Sequence, residues 1–408
     1  MHKILVIAGE PSGDSLGSKL IKEMKTQFQE IIINLNKSHQ KELVFQGVGG
    51  SKMKNEGLVC LYGVEDLSLM GITEVISSIP KIYSIISSIT NYVNAWKPDL
   101  IITIDSPDFC FRLVKKIRRI DKYVPIIHYV APSVWAWRPK RAKNMSVLYD
   151  KVLAILPFEK PYFEKYGLSC DFVGHPISKE IILQDNEKNK LLNIMSIDKS
   201  KRIISILPGS RQSEIKALLP IYVELIQNIG SQFDDLEFVI PSPQSVFSYL
   251  QRKIAKYKLN VKIISESEMS VEEFNLLKLS LFQLSLIAIN TSGSVALELA
   301  RAGTPMISVY KCGWFFERIL KTFVKVKSAN LINIILEKNV VPEFLFENCT
   351  ALSIENSAKE LLSSIPLQKK QKDLFKKAIR LLSTKEQRPS EKAAKISLKF
   401  LNEEILKI

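Results

Sequence analysis

Short apolar runs rich in β-branched residues recur along the chain, each followed by a helix-length segment. They fall into two sets. Ile4–Ala8, Leu43–Gly47, Leu100–Ile104, Ile126–Val130 and Val152–Leu156 make the first. Ile203–Leu207, Leu236–Ile240, Val261–Ile264, Leu284–Ile289 and Met306–Val309 make the second. Hydrophobicity that is continuous rather than alternating marks strands buried on both faces, hence parallel sheets flanked by helices. Strand alternating with helix, twice over, predicts an α/β chain of two Rossmann-like, doubly wound domains. A length of 408 residues agrees, being too great for one ordinary core. The break falls in Ser178–Lys201, where the chain turns polar and charged. Beyond Met306, helix-period apolar residues recur in Trp314–Val324, Asn330–Lys338, Glu355–Leu362, Gln368–Leu382 and Ser390–Ile405. The expected division is 1–180, 181–365, and a terminal block 366–408 of helices packing back on the first domain or on a partner subunit.

Other features narrow the class. Five scattered cysteines (Cys60, Cys110, Cys170, Cys312, Cys349) lack CxxC spacing, which fits free thiols in a reducing compartment. The opening MHKILVIAGEPSGD lacks the apolar core and cleavage site of a signal peptide, and no run of 18 apolar residues occurs. A cytoplasmic protein is expected. A net charge of +15 favours an anionic partner, whether nucleic acid, acidic membrane or phosphorylated substrate, although lysine-rich composition alone would produce it. Leu67–Val93 is almost free of charge and is interrupted by Pro80. The half after Pro80 reads as a core helix. The half before it, with Leu69, Met70, Ile72, Val75 and Ile76, is the candidate for acyl-chain or membrane-surface contact.

Candidate chemistry gathers at the carboxyl ends of the strands, where α/β sheets open a ligand crevice. The first strand ends in Gly9-Glu10-Pro11-Ser12-Gly13-Asp14, a turn without GxGxxG spacing or a P-loop lysine. Ser12 or Asp14 could simply cap the following helix. Asp105 directly follows a buried strand, where partial desolvation can tune a carboxylate as a base. Asp108 reads as the N-cap of a helix starting at Phe109. After the strand at Ile126 come His128, Ser133, Trp135, Trp137 and Arg138, with aromatics suited to a sugar face and cations suited to phosphate. In the second half, Pro208-Gly209-Ser210-Arg211 opens a helix, as do Thr291, Ser292, Gly293 and Ser294 before Glu298. Each is a potential anion cradle, and the pair suits a diphosphate, with Glu298 within reach of a ribose diol. No DxD pair is placed to hold a divalent ion, so neither metal nor other cofactor is expected.

The ordered segments AGEPSGD, LSLMGITEV, IDSPDF, HYVAPSVWAWR, LPFE, FVGHP, LPGSR and NTSGSVALE resemble the lipid-A-disaccharide synthase family over roughly residues 3–345. The resemblance implies an inverting glycosyltransferase of glycosyltransferase family 19, with the GT-B fold. It would join 2,3-diacylglucosamine from the UDP derivative to 2,3-diacylglucosamine 1-phosphate through a β-1,6 bond, releasing UDP, peripherally on the inner face of the inner membrane. Asp105 matches the family's proposed general base, with Glu10 and His128 as the further catalytic candidates, and Glu10, with Ser12 and Gly13, lies in the acceptor-side loop. Ser210 and Arg211 match donor-phosphate contacts, Glu298 the acidic residue near the ribose, and Asn330 the Asn of an LPN segment. Here Ala329 replaces that proline, which puts the loop's shape in question. The family's C-terminal helices are expected to cross between domains and to take part in dimer formation. Two alternatives stand beside this reading. Another UDP-sugar transferase or UDP-sugar epimerase would not require Leu67–Ile79 to be apolar and exposed. A nucleic-acid-binding protein would need its cations on one face and would leave Asp105 unexplained; nucleic acid is not expected as a partner.

Overall fold

The computed structural model describes all residues except 35–41, 69–74, 181, 195–196, 199, 314–316, 319–327, 385 and 403–408. The side chains of 68, 75–79, 189–193, 268 and 402 are also outside the description. The chain forms two compact units. One is Met1–Pro176 with Ser383–Ile408, and the other is Ile177–Leu382.

The first unit carries a wholly parallel seven-stranded sheet: β1 (His2–Ala8), β2 (Leu43–Gly49), β3 (Val59–Gly63), β4 (Leu100–Ile104), β5 (Ile126–Tyr129), β6 (Lys151–Ala154) and β7 (Ser169–Phe172), in spatial order 3-2-1-4-5-6-7. Alternate residues of β1 face opposite layers. Ile4, Val6 and Ala8 pack with Leu20, Ile21, Met24 and Phe28, whereas Leu5 and Ile7 join Ile85, Ile86, Ile89 and Val93. Both faces are therefore apolar, which is why the strand reads as an unbroken run.

The second unit repeats the plan with β8 (Arg202–Leu207), β9 (Leu236–Ser242), β10 (Val261–Ser265), β11 (Ser285–Thr291), β12 (Met306–Tyr310) and β13 (Glu343–Leu345), in order 10-9-8-11-12-13. All pairings are parallel. In each sheet the order reverses beside its first strand, between β1 and β4 and between β8 and β11. Those two reversals are the points where such sheets open a crevice.

The ten strands expected from the sequence are present, and β3, β7 and β13 are additions. All three lie at sheet edges, are short, and are only partly buried, so they lack the apolar run that betrays a central strand. The terminal block also divides differently from the expected 366–408. Helix Ile365–Leu381 belongs to the second unit, where Gln371 accepts from the Met306 N–H (2.9 Å). Helix Pro389–Asn402 belongs to the first, burying Ala393, Ala394, Leu398 and Leu401 against the Leu20–Met24 layer.

Helix Val75–Trp96 supplies Ile85, Ile86, Ile89 and Val93 to the core, as expected for the half after Pro80. Of the segment before it, Leu69, Met70 and Ile72 lie outside the described residues. Val75 and Ile76 are described only as helical backbone. Among the described residues, no helix is long and apolar enough to cross a membrane.

Candidate active site

At the first reversal, the exits of β1, β4, β5 and β6 are tied together. Gly9 ends β1 so close to the β4 exit that a Cβ there would lie 2.5 Å from the Ser106 side chain. Asp105 and Ser106 both adopt left-handed backbone, with φ of 55° and 43°. The Asp105 N–H donates to the Tyr129 carbonyl of β5 (2.9 Å). Its carboxylate accepts from the Ser106 N–H (2.9 Å) and from the Ser12 hydroxyl of the β1 exit (3.4 Å). Val130 (φ 74°) and Arg138 (φ 51°) follow in the loop after β5. Thus four of the eight non-glycine residues with positive φ among the described residues crowd two neighbouring strand exits. Strain of this kind costs of order 1–3 kcal/mol per residue and persists where function requires the geometry.

Ser12 touches Asp105 directly, Gly13 lies against the Ile104 carbonyl, and the loop bearing Ser133, Trp135, Trp137 and Arg138 leaves the neighbouring β5 and reaches the helix after Asp105 through the Arg138–Asp108 pair. Glu10, Ser12, Ser133 and Arg138 are exposed, and Asp105 is half-buried. The Arg138 guanidinium lies over the Trp137 ring, 5.4 Å from its centroid, and pairs with Asp108 at 3.5 Å.

Three expectations are corrected here. Asp108 is not an N-cap, because the helix begins at Pro107. Its carboxylate instead binds Arg141 and Arg138. Neither Ser12 nor Asp14 caps its own helix, which begins at Pro11. Asp14 is buried and caps the next helix, Ser51–Asn55, accepting from the N–H groups of Gly50 (2.7 Å), Lys52 and Met53 (both 3.1 Å). His128, expected among the catalytic groups, is fully buried on β5 between the rings of Phe111 and Tyr149. Its Nδ1 is 2.8 Å from the Thr103 hydroxyl, and burial pushes its pKa down to about 3. A neutral imidazole shut inside the core cannot meet a substrate hydroxyl.

At the second reversal, β8 ends in a turn where Gly209 has φ 106°, a conformation that suits glycine. Ser210 and Arg211 then open helix Gln212–Gly230. The Arg211 side chain is mostly exposed, and its guanidinium pairs with Glu214 at 3.1 Å. The Glu214 carboxylate also accepts from the Ser210 N–H (3.3 Å). On the neighbouring strand, Gly293 and Ser294 are exposed before helix Val295–Ala302. Thr291 is buried and donates its hydroxyl to the Leu207 carbonyl (3.0 Å), so it joins the two strands instead of facing the opening. Ser292 donates its N–H to the Val309 carbonyl (3.0 Å). Glu298 is paired with Lys278 at 2.8 Å.

Asn330, expected at the donor, is wholly buried. It caps helix Leu331–Leu336 by accepting from the Ile332 N–H (2.8 Å) and donates to the Ser308 hydroxyl (2.7 Å). The alanine before it has a physical account. Glu343 of β13 accepts from the N–H groups of both Ala329 (2.9 Å) and Asn330 (2.7 Å), and a proline would lack the first of these. Glu343 was not found from the sequence, because a lone acid in a three-residue edge strand carries no pattern.

A family model described as lipid-A-disaccharide synthetase matches residues 4–397 of this chain. The chain belongs to the lipid-A-disaccharide synthase family. It is thus a glycosyltransferase of lipid A biosynthesis. Lipid-A-disaccharide synthase from Rhodospirillum centenum (strain ATCC 51521 / SW) is 33% identical over 99% of this chain and 96% of its own length. That from Rickettsia prowazekii (strain Madrid E) is 34% identical over 97% of this chain and 98% of its own. Among solved structures, a Staphylococcus aureus MnaA–UDP co-structure matches with a TM-score of 0.64 at 14% identity, over 100% of this chain and 98% of that one. UDP-GlcNAc 2-epimerase from Neisseria meningitidis bound to UDP-GlcNAc gives 0.61 at 16%, over 98% and 100%. At such identities these likenesses show the GT-B fold of two Rossmann-like domains. Membership in the synthase family comes from the sequence.

Proposed function

We propose that the chain transfers 2,3-diacylglucosamine from its UDP derivative to the 6-hydroxyl of 2,3-diacylglucosamine 1-phosphate. The product is the β-1,6-linked lipid A disaccharide 1-phosphate, and UDP is released. The observation that carries this reading is Asp105, a half-buried carboxylate held in left-handed backbone at the reversal of the first sheet. Asp105 accepts the proton of the acceptor hydroxyl while that oxygen attacks the anomeric carbon from the face opposite the leaving diphosphate, inverting it. Glu10, Ser12, Gly13 and the Ser133–Arg138 loop line the acceptor side, and the tryptophans offer faces for the sugar. On the donor side, the exposed Arg211 guanidinium with the Ser210 and Ser294 helix starts stabilises charge gathering on the departing UDP, so the scheme needs no metal ion. Glu298 serves the ribose once Lys278 yields it. The 1–180 region is the acceptor side and 181–365 the donor side. The apolar segment containing Leu69, Met70, Ile72, Val75 and Ile76 accommodates acyl chains at the inner face of the inner membrane, and the terminal helices serve a homodimer.

The deciding assay follows UDP release from UDP-diacylglucosamine with acylated glucosamine 1-phosphate as acceptor. Activity is expected without added metal, and Asp105→Asn is expected to lower kcat at least about 100-fold, the scale for removing a general base. Near-normal turnover by that variant would move the role to Glu10. Turnover of UDP-GlcNAc to its 2-epimer without an acceptor would replace the transferase reading with an epimerase.

A further inference from the structure

Glu159 closes the exit of β6 and is 1% exposed. Its carboxyl turns back into the protein, accepting from the Leu156 N–H (3.0 Å) on one oxygen and from the Trp135 indole N–H (3.3 Å) on the other. Beside it, the Phe158 ring stands edge-on to the Trp135 ring, with centroids 5.3 Å apart and planes at 86°. The indole is therefore clamped twice by the LPFE segment, once at its N–H and once at its ring. Tryptophan buries a large apolar body while its N–H requires a partner, and here the partner is an acid drawn from another strand exit. The loop carrying Trp135 is joined to Asp105 through the Tyr129 carbonyl and to β6 through the Val130 N–H bond to Leu153 (3.0 Å).

We propose that Glu159 is a positioning residue that fixes Trp135, and with it the loop after β5, as a wall of the acceptor site beside Asp105. The inference rests on the acceptor role proposed above for that loop. A side chain placed only for packing would be satisfied by leucine. This one makes two directed hydrogen bonds, one within its own turn and one across to the loop after β5, and sites of this kind depend on the groups that lock their walls.

The protonation state adds a second signature. Burial pushes the Glu159 carboxyl up to about 8, against the lowering pull of the Leu156, Trp135 and Ile155 hydrogen bonds. The groups facing it are these uncharged donors and the Cys170 thiol of β7, which burial raises to about 12 and so keeps neutral. Lys160, the next residue, is half-exposed and pairs with Glu164 at 3.4 Å. Its folded pKa lies above its unfolded one, so its contribution to stability is complete below about pH 4.5 and is lost as pH rises to about 8. Above that pH the carboxylate is buried without a counter-ion, which costs stability, while the bond it accepts from the Trp135 N–H becomes charge-assisted.

The test compares wild type, Glu159→Gln and Glu159→Leu, all checked by circular dichroism for a wild-type fold. Kinetics are measured from pH 6.5 to 9.5, and the indole N–H resonances are followed in tryptophan-labelled protein. Trp135→Phe identifies the Trp135 signal. The wild-type Trp135 resonance is expected to shift downfield with a midpoint near pH 8, as its hydrogen bond to Glu159 becomes charge-assisted. Glu159→Gln, which keeps one acceptor oxygen and cannot ionise, is expected to lose that alkaline shift and to raise acceptor KM less than Glu159→Leu does. Glu159→Leu is expected to raise acceptor KM on the order of 10-fold, with kcat changed much less. A Trp135 resonance indifferent to pH and to Glu159→Gln overturns the clamp. A responsive resonance with an unchanged KM in Glu159→Leu overturns its service to the acceptor. Should the chain show no transfer at all, the functional reading fails, and the resonance still decides the clamp.

Discussion

The two sheets present the same reversal of strand order, yet they build opposite kinds of site. At the first, the groups are side chains locked by neighbours. Asp105 is bonded to its own turn, and Asp14 and Glu159 are buried with every contact directed. At the second, the exits are turns bearing Gly209 and Gly293, exposed at Ser210, Gly293 and Ser294, with a mostly exposed arginine paired to Glu214. The chemistry expected of each explains the contrast. A proton acceptor must be held in one place with a tuned environment, whereas a diphosphate can be received by backbone dipoles and one flexible cation. Single substitutions should therefore act sharply in the first unit and gradually in the second.

Asp14→Ala should show the sharp case. It removes the acceptor of three N–H groups at the start of Ser51–Asn55, two of those bonds being buried. Stranding buried donors of a charge-assisted cap costs on the order of 3 kcal/mol. Thermal unfolding should show the first unit melting several degrees lower, with Asp14→Asn in between. A melting curve equal to wild type would mean that the cap is replaced by water, and the rigid side of the comparison would fail.

Arg211→Lys is milder. It keeps the charge and loses the planar fork that grips two phosphate oxygens. A fall in kcat/KM of about 10-fold is expected when the donor is varied, with little change when the acceptor is varied. An effect confined to the acceptor would assign Arg211 to the wrong side of the reaction.

How much of this could be read in the residues follows the same division. Central strands such as Leu100–Ile104 announce themselves because both faces are buried, and the residue that leaves such a strand, Asp105, is located with it. The turns at Gly9 and Gly209 are equally visible, the first because a side chain there would meet Ser106 and the second because its backbone is left-handed. Side-chain direction is not. His128 sits one residue before the end of a fully buried strand, and nothing in HYVAPSVWAWR says that it points into the core while Trp135 lies at its edge. Asn330 likewise looks like a ligand contact until its burial and its Ser308 and Ile332 partners are seen. Capping across elements, as by Asp14 and Glu343, joins residues too distant in sequence for any local pattern to betray.

Glu214 provides the finest test of the open side. Its carboxylate lies against the Ser210 N–H and the Arg211 guanidinium, the two groups assigned to the donor diphosphate. The turn is built closely around it, for a Cβ on Gly209 would stand 2.5 Å from its Oε2. An anion of the protein thus occupies the seat proposed for an anion of the substrate, and UDP must displace it. The ion pair involves an exposed arginine and contributes at most about 1 kcal/mol, so the competition is slight. Glu214→Gln should leave the fold unchanged and tighten UDP binding about 2- to 3-fold by calorimetry, with the gain shrinking as salt rises. Weaker binding would mean that Glu214 orients Arg211 for the phosphate instead of standing in for it. The second site would then share the preorganisation of the first, and the contrast between the two reversals would be one of exposure alone.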